Sequence, residues 1–370
     1  MVPNLRFSSF ADPFRIYTLK EVLQRISFPV TVDENKLYYQ IGIRSHSKGI
    51  FYKEAEIGKQ IGNKRIFWIE PNCLILNIVF AWEQAVAKTS EKEVGMVASH
   101  RFPMYKVLNN SLDYIVDFFK TEKGKQLLQM ASPGGAGRNK TLNQDFFLNS
   151  KIYLPSLNEQ LKTTELIELI EDRIETQIKI IDDYNSLKMG IYNCMFKENY
   201  ADYKLKQLAY IVKGDQINND QLLSNGSYYM MNGGTSPSGY IDSYNVSENT
   251  ISISEGGNSC GYVQFNSCPF WSGGHCYTIQ NVNSALIENK YLYHYLKYKE
   301  KEIMNLRIGT GLPNIQKKDL ENFTILVPSL LIQRKNLALF EMLDEKISIL
   351  NEELANLQKQ KKYLLCNMFI

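Results

Sequence analysis

The sequence predicts an α+β fold: two mixed α/β globules separated by two long antiparallel coiled-coil helices, with an internal pseudo-two-fold repeat. Three observations predict it. Residues 154–196 and 327–369 are copies of one segment at a fixed offset of 173 residues. An offset held without a gap over such a length marks a duplication. Each copy carries apolar residues at helical spacing, whereas the stretch ahead of each copy mixes short β-rich runs with Gly, Asn and Ser turns.

The duplication divides the chain into residues 1–154, 155–198, 199–327 and 328–370: globule, helix, globule, helix. Ile16-Tyr17-Thr18-Leu19 and Lys204-Leu205-Lys206-Gln207-Leu208 are equivalent entries into the two globules. Strand-like runs rich in β-branched and aromatic residues follow at 37–43, 66–69 and 74–79, then at 250–254, 262–265 and 277–279. Each globule next has one helical stretch, 112–130 or 289–306. The first carries Tyr114, Ile115, Phe118 and Phe119, the second Tyr291, Leu292, Tyr295 and Leu296. Aromatics at that spacing form a core face. A glycine-bearing loop and a last strand, 152–154 or 325–327, then lead into the long helix.

In the helices, Leu154-Pro155-Ser156-Leu157-Asn158-Glu159-Gln160 becomes Val327-Pro328-Ser329-Leu330-Leu331-Ile332-Gln333, and Met195-Phe196 becomes Met368-Phe369. Each Pro stands just ahead of the period, where a missing N–H costs nothing. Phe340, Leu343, Ile347, Leu350, Leu354 and Leu357 are spaced 3-4-3-4-3, the seam of a coiled coil. The first copy has Gln177 where the second has Leu350, with Ile178 expected to compensate. At ~1.5 Å per residue each helix approaches 60 Å, and neither buries its stripe alone. They are therefore expected to pair antiparallel.

Composition narrows the chemistry. A net charge of +3 does not announce a nucleic-acid binder, but its distribution is uneven. Residues 1–150 hold 20 Lys and Arg against 14 Asp and Glu, while residues 201–328 hold 10 against 11. The excess points to a polyanion partner for the first globule. No apolar run reaches the ~18 residues of a membrane span. Met1-Val2-Pro3-Asn4-Leu5-Arg6 lacks the apolar core of a signal peptide, and the six cysteines read as reduced thiols of a cytoplasmic protein. Cys260, Cys268, His275 and Cys276 lack the tight hairpin spacing of a zinc site and are read as structural. No metal or cofactor is expected.

The chain has no phosphate-binding P-loop, no dinucleotide fingerprint and no Asp/Asn-Pro-Pro-Tyr/Phe signature of amino-methylating enzymes. Its four histidines include no metal pair and no partner for a nucleophile. Catalysis is thus not expected, and binding is. Gly135, Arg138, Asn139 and Lys140 form a glycine-rich loop of DNA-contact composition: glycine admits phosphate, Arg bridges guanine acceptors and Asn bridges adenine. Ser99, His100 and Arg101 form a second cluster, and Arg44, His46 and Lys48 a third. In the second globule the candidates are Asn232, Gly234, Ser254, Gly309, Thr310, Gly311 and Asn314.

The order of globule and helix, the Leu-Pro-Ser-Leu-x-Glu-Gln entry and the Met-Phe ending resemble the specificity subunit of type I restriction–modification systems. The run Ser132 to Leu142 and the run Gly309-Thr310-Gly311-Leu312-Pro313 are similar to loops of its target-recognition domains. The second helix departs from the pattern, with Ile332 in place of the entry Glu. The resemblance implies that each globule is a target-recognition domain reading one half of a split, asymmetric sequence in double-stranded DNA. It implies that the helices set the unread spacer and dock two copies of a methyltransferase subunit, through which restriction and translocase subunits join, and that the chain catalyses nothing. Two alternatives remain: the recognition half of a single-chain restriction–modification enzyme, and a coiled-coil adaptor whose globules bind protein.

Overall fold

The computed structural model describes residues 2–134, 140–196, 200–217, 222–309, 311 and 313–370. The chain forms two compact units. One contains Met1–Gln177 with Glu353–Ile370, the other Ile178–Glu352. The two long helices, Leu157–Met195 and Leu330–Met368, have 39 residues each. Each helix therefore gives one half to either unit. None of the described helices is long and apolar enough to cross a membrane.

Both units are built on the same four-stranded antiparallel sheet. In the first the spatial order is Leu23–Ile26, Met104–Val107, Leu74–Leu76, Val86–Lys88. In the second it is Tyr210–Lys213, Cys276–Gln280, Thr250–Ser254, Val263–Asn266. A separate two-stranded ladder closes each globule where the long helix begins. Arg15–Thr18 pairs with Lys151–Leu154, and Ala201–Lys204 pairs with Thr324–Val327. The units differ in what they add. The first adds the hairpin Ile41–Ile43 with Ile50–Tyr52 and the pair Ile66–Trp68 with Val97–Ser99. The second adds Gly239–Ile241, Tyr228–Met231 and Trp271–Ser272, the last two parallel.

The expected core aromatics are buried, among them Tyr114, Phe119, Tyr291 and Tyr295. However, neither helical stretch is continuous. The first breaks into Leu112–Lys120 and Glu122–Met130 at Thr121, whose backbone is extended and whose hydroxyl accepts the Gly124 N–H at 3.1 Å. A threonine that caps a free amide ends one helix and starts the next. The second breaks into Asn289–Tyr298 and Glu300–Met304. The run 37–43 is likewise two strands, Leu37–Tyr38 and Ile41–Ile43.

Within each unit the long-helix segments run antiparallel. In the first, Lys361 Nζ lies 2.6 Å from Glu171, and Gln177 Nε2 donates to Glu353 at 3.0 Å. In the second, Lys188 pairs with Asp344, and the Tyr192 and Phe340 rings meet edge to face at 4.8 Å. Rising numbers on one helix face falling numbers on the other. Phe340, Leu343, Leu350 and Leu357 are buried in the seam. Ile178 does not compensate for Gln177, because it is 42% exposed while Gln177 keeps the half-buried seam position. One residue is ~100° of rotation, which carries Ile178 off the stripe.

Two devices written into the repeat fix each globule to its helices. Gln160 Oε1 accepts the Ser111 N–H at 2.9 Å while its Nε2 donates to Pro155 O at 3.0 Å. Gln333 does the same with the Glu288 N–H at 2.8 Å and Pro328 O at 2.8 Å. Ser111 and Glu288 are the N-caps of the globular helices, so one amide ties the start of each long helix to the helix before it. At the other end, Phe369 packs on Tyr114 with ring centroids 4.7 Å apart, and Phe196 on Tyr295 at 5.1 Å and Tyr291 at 5.5 Å. Glu159 is held by Arg6 through two bonds, 2.7 and 2.8 Å. This accounts for Ile332 at the matching place: the Arg6 pair belongs to the first unit only.

Candidate nucleic-acid interface

In the first unit, the clusters singled out from the sequence meet around residues 77–84. Strand Leu74–Leu76 ends there, and the 3-10 turn Ala81–Glu83 follows. The backbone of the Arg44–Lys48 loop docks on that turn, His46 N donating to Glu83 O at 2.6 Å and Ser47 N to Gln84 O at 2.9 Å. The Ser45 hydroxyl donates to the Glu83 carboxylate at 2.9 Å. His46 and Ser47 both have positive φ, 59° and 54°, which turns the loop sharply and leaves Arg44, His46 and Lys48 exposed. The Arg44 guanidinium lies over the Phe51 ring at 5.3 Å. Lys140 places its ammonium 5.0 Å above the Trp82 ring. The remaining cluster joins through Ile78, whose N–H donates to Arg101 O at 3.0 Å and whose carbonyl accepts from Leu142 N at 2.8 Å. Ser99 is half-buried, and His100 and Arg101 are exposed. Gly135, Arg138 and Asn139 lie outside the described residues, as does Thr310.

Sequence reasoning missed the neighbouring cleft. Arg25, Arg65 and His100 line a cavity of about 230 Å³ together with Gln144, Phe67 and Phe102. No carboxylate is among its lining residues. Arg25 comes from one edge strand, Arg65 from the residue before another, and Gln144 from the start of the helix Gln144–Asn149. Each was a single residue far from the others in the chain, so no local motif could expose them.

In the second unit, loops that carry candidate residues are joined through the backbone of Glu255, whose N–H donates to His275 O at 2.9 Å. Glu255 is 8% exposed and accepts from Lys213 Nζ at 2.7 Å and Tyr277 Oη at 3.0 Å. Burial first, and then that bond, holds the Tyr277 phenol protonated well above its ordinary range. The Glu255 carbonyl accepts from Ile315 N and from the Cys260 thiol, both at 2.9 Å. Ser254 is buried, and its hydroxyl donates to Gly233 O at 2.7 Å. It therefore shapes the loop around Gly233 and Gly234 from beneath. Asn232 Oδ1 accepts the His275 N–H at 3.0 Å. Asn314 exchanges two backbone bonds with Ile308 and closes the loop that holds Gly309 and Gly311, both exposed. Gly309 has φ 97°, a conformation L side chains rarely adopt. Cys260 and Cys276 are buried thiols, their pKa values raised by burial, and Cys268 is exposed. No group of three or more His, Cys, Asp or Glu among the described residues could hold a metal ion.

Residues 197–359 match the family model described as the type I restriction modification DNA specificity domain. The match covers the second globule and most of the second long helix. A putative type I specificity subunit of Mycoplasma pneumoniae is 34% identical over 155 residues, 42% of this chain and 41% of that protein. One of Mycoplasma genitalium is 32% identical over 127 residues, 34% of this chain and 33% of that protein. The matched stretches thus span less than half the length of these curated relatives. The crystal structure of a type I restriction–modification S subunit from M. genitalium covers 100% of this chain, and the chain covers 99% of it. Its TM-score is 0.66 at 17% identity, a likeness of fold. The duplication in this sequence explains why the chain carries one sheet order and one Gln clamp twice.

Proposed function

We propose that this specificity protein is the non-catalytic DNA-reading subunit of a type I restriction–modification complex. Residues 1–154 read one half of a bipartite asymmetric target and residues 199–327 the other. The long helices, 155–198 and 328–370, set the unread spacer and dock two copies of a methyltransferase subunit, to which restriction and translocase subunits attach. The observation that carries this reading is the paired construction: two different surfaces rest on equivalent helical seats, each tied by the same glutamine and the same phenylalanine. Basic side chains around residues 77–84 supply phosphate contacts in the first globule, and the loops around Glu255 supply contacts in the second. Two-copy docking is supported by matched apolar exposure. Leu169 and Met342 stand 173 residues apart, and they are 57% and 61% exposed.

Co-expression with the methyltransferase subunit tests the docking directly. Native mass measurement should give two methyltransferase copies per specificity chain. Leu169→Asp and Met342→Asp should each leave one copy bound, and the double variant none. Two copies retained by the double variant would place docking elsewhere.

A further inference from the structure

We infer that the cleft lined by Arg25, Arg65, His100 and Gln144 is a base-reading subsite of the first globule, with Gln144 as its specificity-determining residue. This rests on the DNA-reading function proposed above. The geometry supplies what such a site needs. Tyr105 is fully buried, and its hydroxyl donates to Gln144 Oε1 at 3.1 Å. Burial pushes the Tyr105 phenol up to about 12, against the pull of nearby Arg25, so it remains a hydrogen donor at neutral pH. One end of the Gln144 amide is thus fixed from inside the globule, which leaves the Nε2 donor for the cleft. A donor held in this way pairs with an acceptor on a base edge, a purine N7, guanine O6 or thymine O4, and disfavours an amino group.

The surroundings fit the same ligand. Arg25 and Arg65 are exposed and flank the amide with guanidinium groups suited to phosphate oxygens. Phe67, Phe102 and Ile78 add apolar wall of the kind a thymine methyl contacts. His100 N donates to Arg65 O at 3.3 Å, which joins this cleft to the Ser99–Arg101 turn and, through Ile78, to the rest of the basic surface. The cleft is therefore continuous with the candidate interface, and its amide is anchored to the core through Tyr105.

The test is methylated-base mapping after expression of the complex with its methyltransferase subunit. The unmodified complex must first methylate a bipartite target; if it methylates none, the DNA-reading function fails and not this subsite. Given that target, Gln144→Leu should relax one base position, in the half read by the first globule, by roughly tenfold. The other half should stay unchanged. Tyr105→Phe, which frees the amide without removing it, should relax the same position less. Arg25→Ala and Arg65→Ala should weaken binding across all sequences and lower the salt slope by about 1 each. A Gln144→Leu complex that folds and methylates the original target with unchanged discrimination would overturn the assignment. So would relaxation confined to the other half-site.

Discussion

The two units seat their globules with the same aromatic plug and the same glutamine clamp, but with different charged contacts. Phe369 and Phe196 fill the same role, as do Gln160 and Gln333, because their partners are aromatic rings and backbone groups that either sequence can offer. The charged contacts next to them have diverged. In the first unit, buried Asp117 accepts Lys120 at 2.7 Å, and Lys120 reaches Glu171, which also takes Lys361. Burial raises the Asp117 pKa. In the second unit, His294 stands in this region, its Nδ1 2.8 Å from Tyr192 Oη and its Nε2 3.9 Å from Asp344, which pairs with Lys188. Contacts to rings and backbone outlast duplication, whereas side-chain ion pairs need two coordinated changes and drift apart.

The aromatic plugs should give the largest effect. Phe196 touches the rings of Tyr192, Tyr291, Tyr295, Tyr298 and Phe340, while among the described residues Phe369 meets one ring, that of Tyr114. Truncation of a buried phenylalanine costs about 3–5 kcal/mol. Phe196→Ala should fall at the upper end and Phe369→Ala at the lower. Hydrogen exchange resolved by segment should show the loss in the second unit for the former and in the first for the latter.

The glutamine clamps should come next and should be equal. Gln160→Leu or Gln333→Leu strips one buried N–H and one buried carbonyl of a partner, at roughly 2–3 kcal/mol. Denaturant titration of the two variants checks the equality; a twofold difference would show that the seats are not equivalent.

Acid should separate the units. Burial, helped by Lys188, lowers the His294 pKa to about 3, so the folded second unit keeps the ring neutral. The unfolded chain binds its proton near the ordinary value of 6.5, and stability is therefore lost as pH falls below 6.5, the loss growing until about pH 3. At pH 5 it amounts to about 2 kcal/mol. Asp117 works in the opposite sense, since its raised pKa lets the folded first unit take up a proton before the unfolded chain does. Melting of each unit between pH 7 and pH 5 should show the second losing more, and His294→Gln should flatten its slope.

The helices and the repeat were legible because one offset aligned Pro155 with Pro328, Gln160 with Gln333 and Phe196 with Phe369. That each helix would be divided between two units was not, because a seam period records burial and not which globule supplies it. Ile178 misled for a geometric reason, as a neighbour in sequence is a third of a turn away in space. The breaks at Thr121 and Lys299 depend on backbone caps that leave little mark on apolar spacing. Basic triplets made His100 and Arg101 visible, but Arg25, Arg65 and Gln144 meet only after three separate segments fold together.

In the proposed function, two independent reading heads share one duplicated support. Residues 201–326 can be replaced by the matching segment of a type I specificity protein, and the chimera expressed with a methyltransferase subunit. Methylated-base sequencing should then show one half of the target changed, with the half read by residues 1–153 and the spacer length preserved. A target altered in both halves would mean that the globules read DNA jointly and not as independent heads.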